Sequence, residues 1–375
     1  MKTSLRTMFI FITVMAIFLP LASFAQQNQQ EEILQARVIK VVSEEQIEVP
    51  ATHIITTLQT LEIEPLNNPS QRAIIQNDYI VLEEGDKIFV RATPDEAGAI
   101  IYSIVERNRI STLLIFLGLF IITILVFGKK QGLRSLLSLA GSMFILAYVL
   151  IPSLTKGVNP VAASTIIAAL ILFVAIYSTH GFKKESTVAF TGTVIAVIIT
   201  SIISLIAVKI CHFTGLGSEE ANFLNIQSAT RLNFSGLLLG GIIIGILGVL
   251  DDIAITQASV VRELYSSAAH LTKKQIYTKA LRVGQEHVGA LVNTLALAYT
   301  GASLPILLLF STSTFPLALI LSQEIFAVEI IRTIVGSIGL VLTVPVTTLL
   351  AAHMLEHYRG KEYYNDHHHG HSHAH

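Results

Sequence analysis

The chain contains no tryptophan, one cysteine and few charges: 14% of its 375 residues are Asp, Glu, Lys or Arg. An average soluble domain is about 25% charged, so this composition excludes an ordinary soluble protein. The lone Cys211 excludes an intrachain disulfide. A net charge of −1 without a basic stripe excludes nucleic acid as a partner. Without Trp, the polar–apolar boundary of any membrane span falls to Tyr, Lys and Arg. What the chain has instead is apolar residues, 52% of the total, and a mean hydropathy of +0.64.

Residues 1–25 read as a secretory signal. Lys2 and Arg6 precede the apolar run Met8 to Ala22, and Ser23-Phe24-Ala25 offers a small-x-small cleavage site before Gln26. The alternative is an uncleaved first transmembrane helix. Residues 26–110 change character. ILQARVIKVV, THIITTLQTLEI, RAIIQNDYIVL, KIFVRAT and AIIYSIV are β-branched runs with partial alternation, the mark of half-buried strands. Glu84-Gly85-Asp86 reads as a tight turn between two of them. The expectation is a small extracytoplasmic β-barrel or sandwich, OB-like or SH3-like in size. It carries no catalytic constellation and suits binding, docking or shielding.

From residue 111 to 357 the pattern is that of a polytopic α-helical membrane bundle of about seven spans. They are Ser111–Phe127, Ser135–Ile151, Pro160–Ser178, Val188–Val208, Phe234–Leu250, Val288–Phe310 and Ile334–His353. Lys129, Lys130 and Arg134, then Lys183 and Lys184, then Arg262, Lys273, Lys274, Lys279 and Arg282, and finally Arg359 and Lys361 all fall on one side of such a bundle. By the positive-inside rule that side is cytoplasmic. The N-terminal domain is then outside a cell (plasma or inner) membrane, and the tail 358–375 is inside. Phe315–Arg332 is apolar but carries Glu324, Glu329 and Arg332. As an eighth span it breaks the parity, so it is expected as an interfacial or re-entrant helix.

Several polar residues interrupt this apolar background. In the fifth span, Gly236, Gly240, Gly241, Gly245 and Gly248 include two GxxxG spacings, which suit either a packing seam or the lining of a narrow conduit. Asp251 and Asp252 follow at the span's expected cytoplasmic rim. IAITQASVV extends the weakly polar sequence beyond them, with Asp252, Thr256, Ser259 and Glu263 on one helical face and Gln257 away from it. Near the sixth span, Glu286, Asn293 and Thr300 share a face, and Arg282 stands four residues before Glu286. An Asn inside a span either bonds a neighbouring helix or lines a path. Pro345 in the last span frees a carbonyl that Thr343, Thr347 or Thr348 can satisfy. The tail's His367, His368, His369, His371, His373 and His375 are either an inert polar tail or a flexible ligand set for Zn²⁺, Ni²⁺ or Cu²⁺.

Three long blocks in order, GIIIGILGVLDDIAITQASVVRE (241–263), VGQEHVGALVNTLALAYTGASLPILLL (283–309) and EIIRTIVGSIGLVLTVPVTTLLAA (329–352), resemble the signature of YibE/F-like membrane proteins. The resemblance covers residues 110–355 well and the N-terminal region loosely. It implies an integral membrane protein with Asp251, Asp252, Gln257, Glu286, Asn293 and Glu329 at characteristic positions. Where the family tends to carry Arg-Asp, this chain has Gln285-Glu286. The His-rich tail is outside the pattern. The resemblance fixes fold and location rather than mechanism.

Three functions compete at this point. The first is a transporter or permease for an unknown solute or ion, with Asp251, Asp252, Gln257, Glu286 and Asn293 on the pathway and no cofactor required. The second is an envelope-assembly or scaffold protein acting through the β-domain. The third is a Mg²⁺-dependent enzyme acting on a lipid phosphate. The Asp pair lacks the further spaced aspartate of such transferases. Gly248-Val249-Leu250-Asp251 is not the Gly-x-Gly-Asp of an intramembrane aspartyl protease, and no Ser/His/Asp motif appears. The expectation is therefore a non-enzyme in contact with membrane lipid, with homo-oligomerisation left open.

Overall fold

The computed structural model describes residues 32–49, 54–68, 72–78, 80–95, 100–227, 232–268 and 270–359. The signal segment and the six tail histidines lie outside these. The described residues divide into two compact units, one ending at Lys129 and one beginning at Lys130.

In the first unit the five alternating runs form strands β1 (Glu32–Val49), β2 (Ile54–Pro65), β3 (Ala73–Asn77), β4 (Lys87–Pro94) and β5 (Ile100–Arg107). They make one antiparallel sheet in the order β3-β2-β1-β4-β5. The long β1 pairs its first third, Glu32–Arg37, with β4 and most of its length with β2. Register shifts at Val38/Lys40 and Val41/Ser43 interrupt the β1–β2 ladder, and bulges of this kind bend and twist a sheet. One face is buried: Ala36, Val38, Leu61, Ile63, Leu82, Ile88 and Val90 form the core. Gln59 is fully buried in it, accepting from Leu82 N at 2.8 Å and donating to Leu82 O at 3.0 Å. The Glu84-Gly85-Asp86 turn forms as expected, with Gly85 at φ 91° and Asp86 Oδ2 accepting from Glu83 N.

The helices are α1 (Ile110–Ile145), α2 (Pro160–His180), α3 (Lys184–Ile210), α4 (Glu219–Gln227), α5 (Phe234–Ser267), α6 (Lys273–Ala302), α7 (Leu304–Ser311), α8 (Leu317–Ser322) and α9 (Glu324–Met354). Caps fix several starts. Asn159 accepts from Val161 N and Ala162 N, Asn233 from Gly236 N, and Thr272 and Gln275 form a capping box.

Five helical stretches are long and apolar enough to cross a membrane, or six if α6 and α7, bent by 64°, make one span. The first two of the expected seven, Ser111–Phe127 and Ser135–Ile151, fall in one 46-residue stretch, Ile110–Thr155, in which two helices meet at a kink on Lys129, whose φ of 47° and ψ of −129° are not helical. The span expected over Val288–Phe310 breaks at Ser303, one residue before Leu304-Pro305. Phe315–Arg332 is not one interfacial helix. It divides at extended Gln323, and Glu324–Arg332 forms the start of α9. Helix α9 then continues through Pro345. Likewise α5 does not end at Leu250: the apolar side of IAITQASVV is buried at Ile253, Ala254, Ala258 and Val261, so the helix runs on to Ser267. At 1.5 Å per residue, its 34 residues extend about 51 Å, well beyond about 30 Å of hydrocarbon.

The second unit packs by inserting hydroxyls opposite glycines. A Cβ on Gly339 of α9 would overlap Thr200 Oγ1 of α3, one on Gly192 of α3 would overlap Thr347 of α9, and one on Gly240 of α5 would overlap Ser164 of α2. Leu172, Ile243, Ile246, Leu250, Leu340 and Val344 fill the space between these contacts. At one end, Arg262 of α5 pairs with buried Glu185 of α3 at 3.3 Å, and Tyr265 donates to Ala352 O at 2.5 Å. Beyond α9, Glu356 pairs with Lys273 at the start of α6, 2.6 Å away.

Gly339→Ala is expected to cost about 1–3 kcal/mol through overpacking, and Thr200→Ala in the same chain is expected to recover part of the loss. Gly241→Ala, which meets open space and gains helix propensity, should leave the melting temperature unchanged or higher. Thermal unfolding of purified protein in detergent measures all three.

Candidate functional site

The sequence offered six polar or acidic positions, Asp251, Asp252, Gln257, Glu286, Asn293 and Glu329, and the structure sorts them. Helix α5 presents two glycine faces. Gly236 and Gly240 are buried against α2, at Pro160 and Ser164, and form a packing seam. Gly241, Gly245 and Gly248 are exposed, and a Cβ on Gly245 would meet only Tyr299 Oη, at 2.8 Å. Asp252 continues that open face.

Gln257 points the other way. It is 1% exposed, accepts from Thr348 Oγ1 of α9 at 2.9 Å, and lies so close to Gly284 of α6 that a Cβ there would come within 2.5 Å of Nε2. It ties three helices together and does not reach the aspartates' cavity. Glu286 and Asn293 are exposed on α6, and they do not line that cavity either. Glu329 lies near the start of α9, paired with Arg332 at 2.8 Å.

Asp251 and Asp252 sit at the midpoint of α5 and open onto a cavity of about 560 Å³ between α5, α2 and the second half of α1. Its apolar walls come from Leu139, Met143, Leu146, Ile171, Leu172 and Leu247. The polar lining, besides the aspartates, is Ser135, Ser138 and Ser142 of α1 with Thr179 and His180 at the end of α2. The sequence reading missed these five residues. The serines' spacing of three and four puts them on one helical face, a signal that was available, but only the fold shows that this face meets the aspartates. Gln131 Nε2 donates to Thr179 O at 3.3 Å, holding the two helices together at the same end.

Hydroxyls elsewhere in the bundle bond back to the carbonyl four residues earlier, as Thr165, Thr193, Thr200, Ser201, Thr343 and Thr348 do. Ser142 does the same, to Ser138 O. Ser138 does not. Its residue is 7% exposed, it lines the cavity, and its Oγ has no hydrogen-bonding partner among the described residues. No other side chain bonds to or pairs with Asp251 among those residues. His180 lines the same cavity as Asp252 and forms no ion pair with it among the described residues. Ser204 and Thr347 also lack partners but are fully buried. Apart from Ser142, the polar side chains lining the cavity thus have no hydrogen-bonding partner among the described residues. Among the described residues no group of three or more His, Cys, Asp or Glu is arranged to hold a metal ion.

Stability separates the two kinds of polar residue. Gln257→Ala is expected to lower stability by about 2 kcal/mol, from the lost hydrogen bond and the space left between three helices. Asp251→Asn should not lower it, because neutralising a half-buried carboxylate without a side-chain partner removes a desolvation cost. A drop in melting temperature for Asp251→Asn as large as that for Gln257→Ala would make the aspartate structural.

Comparison with known proteins places this arrangement. No curated protein and no solved structure matches the chain. The family model described as YibE/F-like protein matches residues 116–357, which include α2 to α9 and the cavity with Asp251 and Asp252. The chain belongs to the YibE/F-like family.

Proposed function

We propose that this protein is a multi-pass membrane permease, and that a small polar solute or ion passes through the cavity at Asp251 and Asp252. The observation that carries this reading is the convergence of polar side chains without protein partners on one cavity at the middle of a long apolar helix. Ionisable groups inside a membrane bundle are costly and mark solute or proton paths. The exposed glycine face of α5 supports it, since a bare backbone lets a solute or another helix come close.

Orientation follows from the basic residues. Lys183 and Lys184 come just after His180, and Lys130 and Arg134 just before Ser135, so the cavity lies toward the basic end of the bundle. In this reading that end is cytoplasmic.

Purified protein in sealed vesicles, loaded with a pH-sensitive dye or assayed with a panel of labelled ions, tests the proposal. Asp251→Asn with Asp252→Asn should reduce flux at least tenfold without loss of monodisperse protein. Glu286→Gln, on the exposed face of α6, should keep at least half of it. Flux unchanged in the double variant, or absent from the wild type across the panel, overturns the reading.

A further inference from the structure

Resting on the cavity described above, we infer that its occupant is a hard divalent cation of the Mg²⁺ class, taken with part of its water shell. The donor set decides the class. Two adjacent carboxylates, Asp251 and Asp252, and three hydroxyls on Ser135, Ser138 and Thr179, which have no hydrogen-bonding partner among the described residues, supply oxygen. His180 is the single nitrogen donor in the lining, and Cys211 is not part of it. Soft or borderline metals select thiolate and imidazole sets, whereas oxygen sets suit Mg²⁺, Ca²⁺ or Mn²⁺.

Charge decides the valence. With two carboxylates side by side and no Lys or Arg among the described residues lining the cavity, a monovalent ion leaves one negative charge uncompensated. A divalent ion neutralises both.

Size and ligand number decide hydration. A cavity of about 560 Å³ holds many times the roughly 30 Å³ share of one water. No three of its strong metal-ligating groups are arranged around one point. Ca²⁺ gathers six to eight oxygen ligands, whereas Mg²⁺ commonly keeps several waters and takes one or two carboxylates. Ser138 is the clearest sign that something binds. Its residue is 7% exposed, it lines the same cavity as the two carboxylates, and a hydroxyl there without a hydrogen-bonding partner among the described residues is placed to hydrogen-bond a metal-bound water.

Mn²⁺, a hard divalent ion whose aquo form is read by electron paramagnetic resonance, tests this on the full-length protein in detergent. The histidine tail is unchanged in every variant, so its contribution cancels between them. The expected result is a class of bound Mn²⁺ that Mg²⁺ displaces. Asp251→Asn with Asp252→Asn should weaken it at least tenfold, and Ser138→Ala should weaken it several-fold, while Ser138→Thr, which keeps the hydroxyl, restores it. Retained monodispersity and melting temperature show that the variants fold. Equal Mn²⁺ binding by wild type and the double variant overturns the inference. So does displacement by Na⁺ but not Mg²⁺, or displacement of the aspartate-dependent ion by Zn²⁺ alone. Cation binding at the aspartates without flux in vesicles sinks the permease reading and leaves the site, whereas flux without such binding does the reverse.

Discussion

The helical unit depends on backbones that come close enough for a hydroxyl of one helix to lie on a glycine of the next. Lipid tails are as apolar as leucine, so burying leucine against leucine gives little driving force for helices to associate in a bilayer. Close van der Waals contact does, and it requires small residues. Thr200 on Gly339, Thr347 on Gly192 and Ser164 on Gly240 join α3 to α9 twice and α2 to α5. The buried Gln257 adds a polar tie from α5 to α9 beside Gly284 of α6. Because these helices are fixed to one another, the face of α5 carrying Asp251 and Asp252 has a defined direction, toward α2 and the second half of α1.

The same chemistry is used in two ways within one bundle. Most serines and threonines spend their donor on their own helix, which lets them act as small, nearly apolar packing groups. The groups around Asp251 are left open. That contrast, rather than the number of acidic residues, separates a site from the general polarity of the sequence. It also explains why Glu286 and Asn293 drop out of the cavity even though they look as polar as the aspartates in the sequence: their helix face is exposed.

The sequence made the β-strands and the long helices visible because each has a simple period or a simple length. The turn at Gly85 was visible because Glu-Gly-Asp between apolar runs demands it. The continuation of α5 past the aspartates was visible in the weakly polar IAITQASVV, but which of its residues other helices bury, Ile253, Ala254, Ala258 and Val261, was not. The polar GKKQG run between the first two expected spans looks like a break, and the chain kinks there at Lys129. The partition of Asp251, Gln257 and Glu286 among a cavity, a packing tie and an exposed face depends on which helices lie next to which, and no local pattern records that. The serine face of α1 was legible as a face but not as a wall.

Strand β1 carries a consequence of another kind. It lies in the middle of the sheet and is the first of the five strands to be made. Its residues from Ala36 onward find β2 close by in sequence, but Glu32–Gln35 pair only with β4, more than fifty residues later. Until β4 arrives, that end of the chain is an open edge able to accept any passing strand. Whatever delivers this protein to its membrane must therefore keep Glu32–Gln35 from the wrong partner during the interval, and the order of synthesis sets how long that interval lasts.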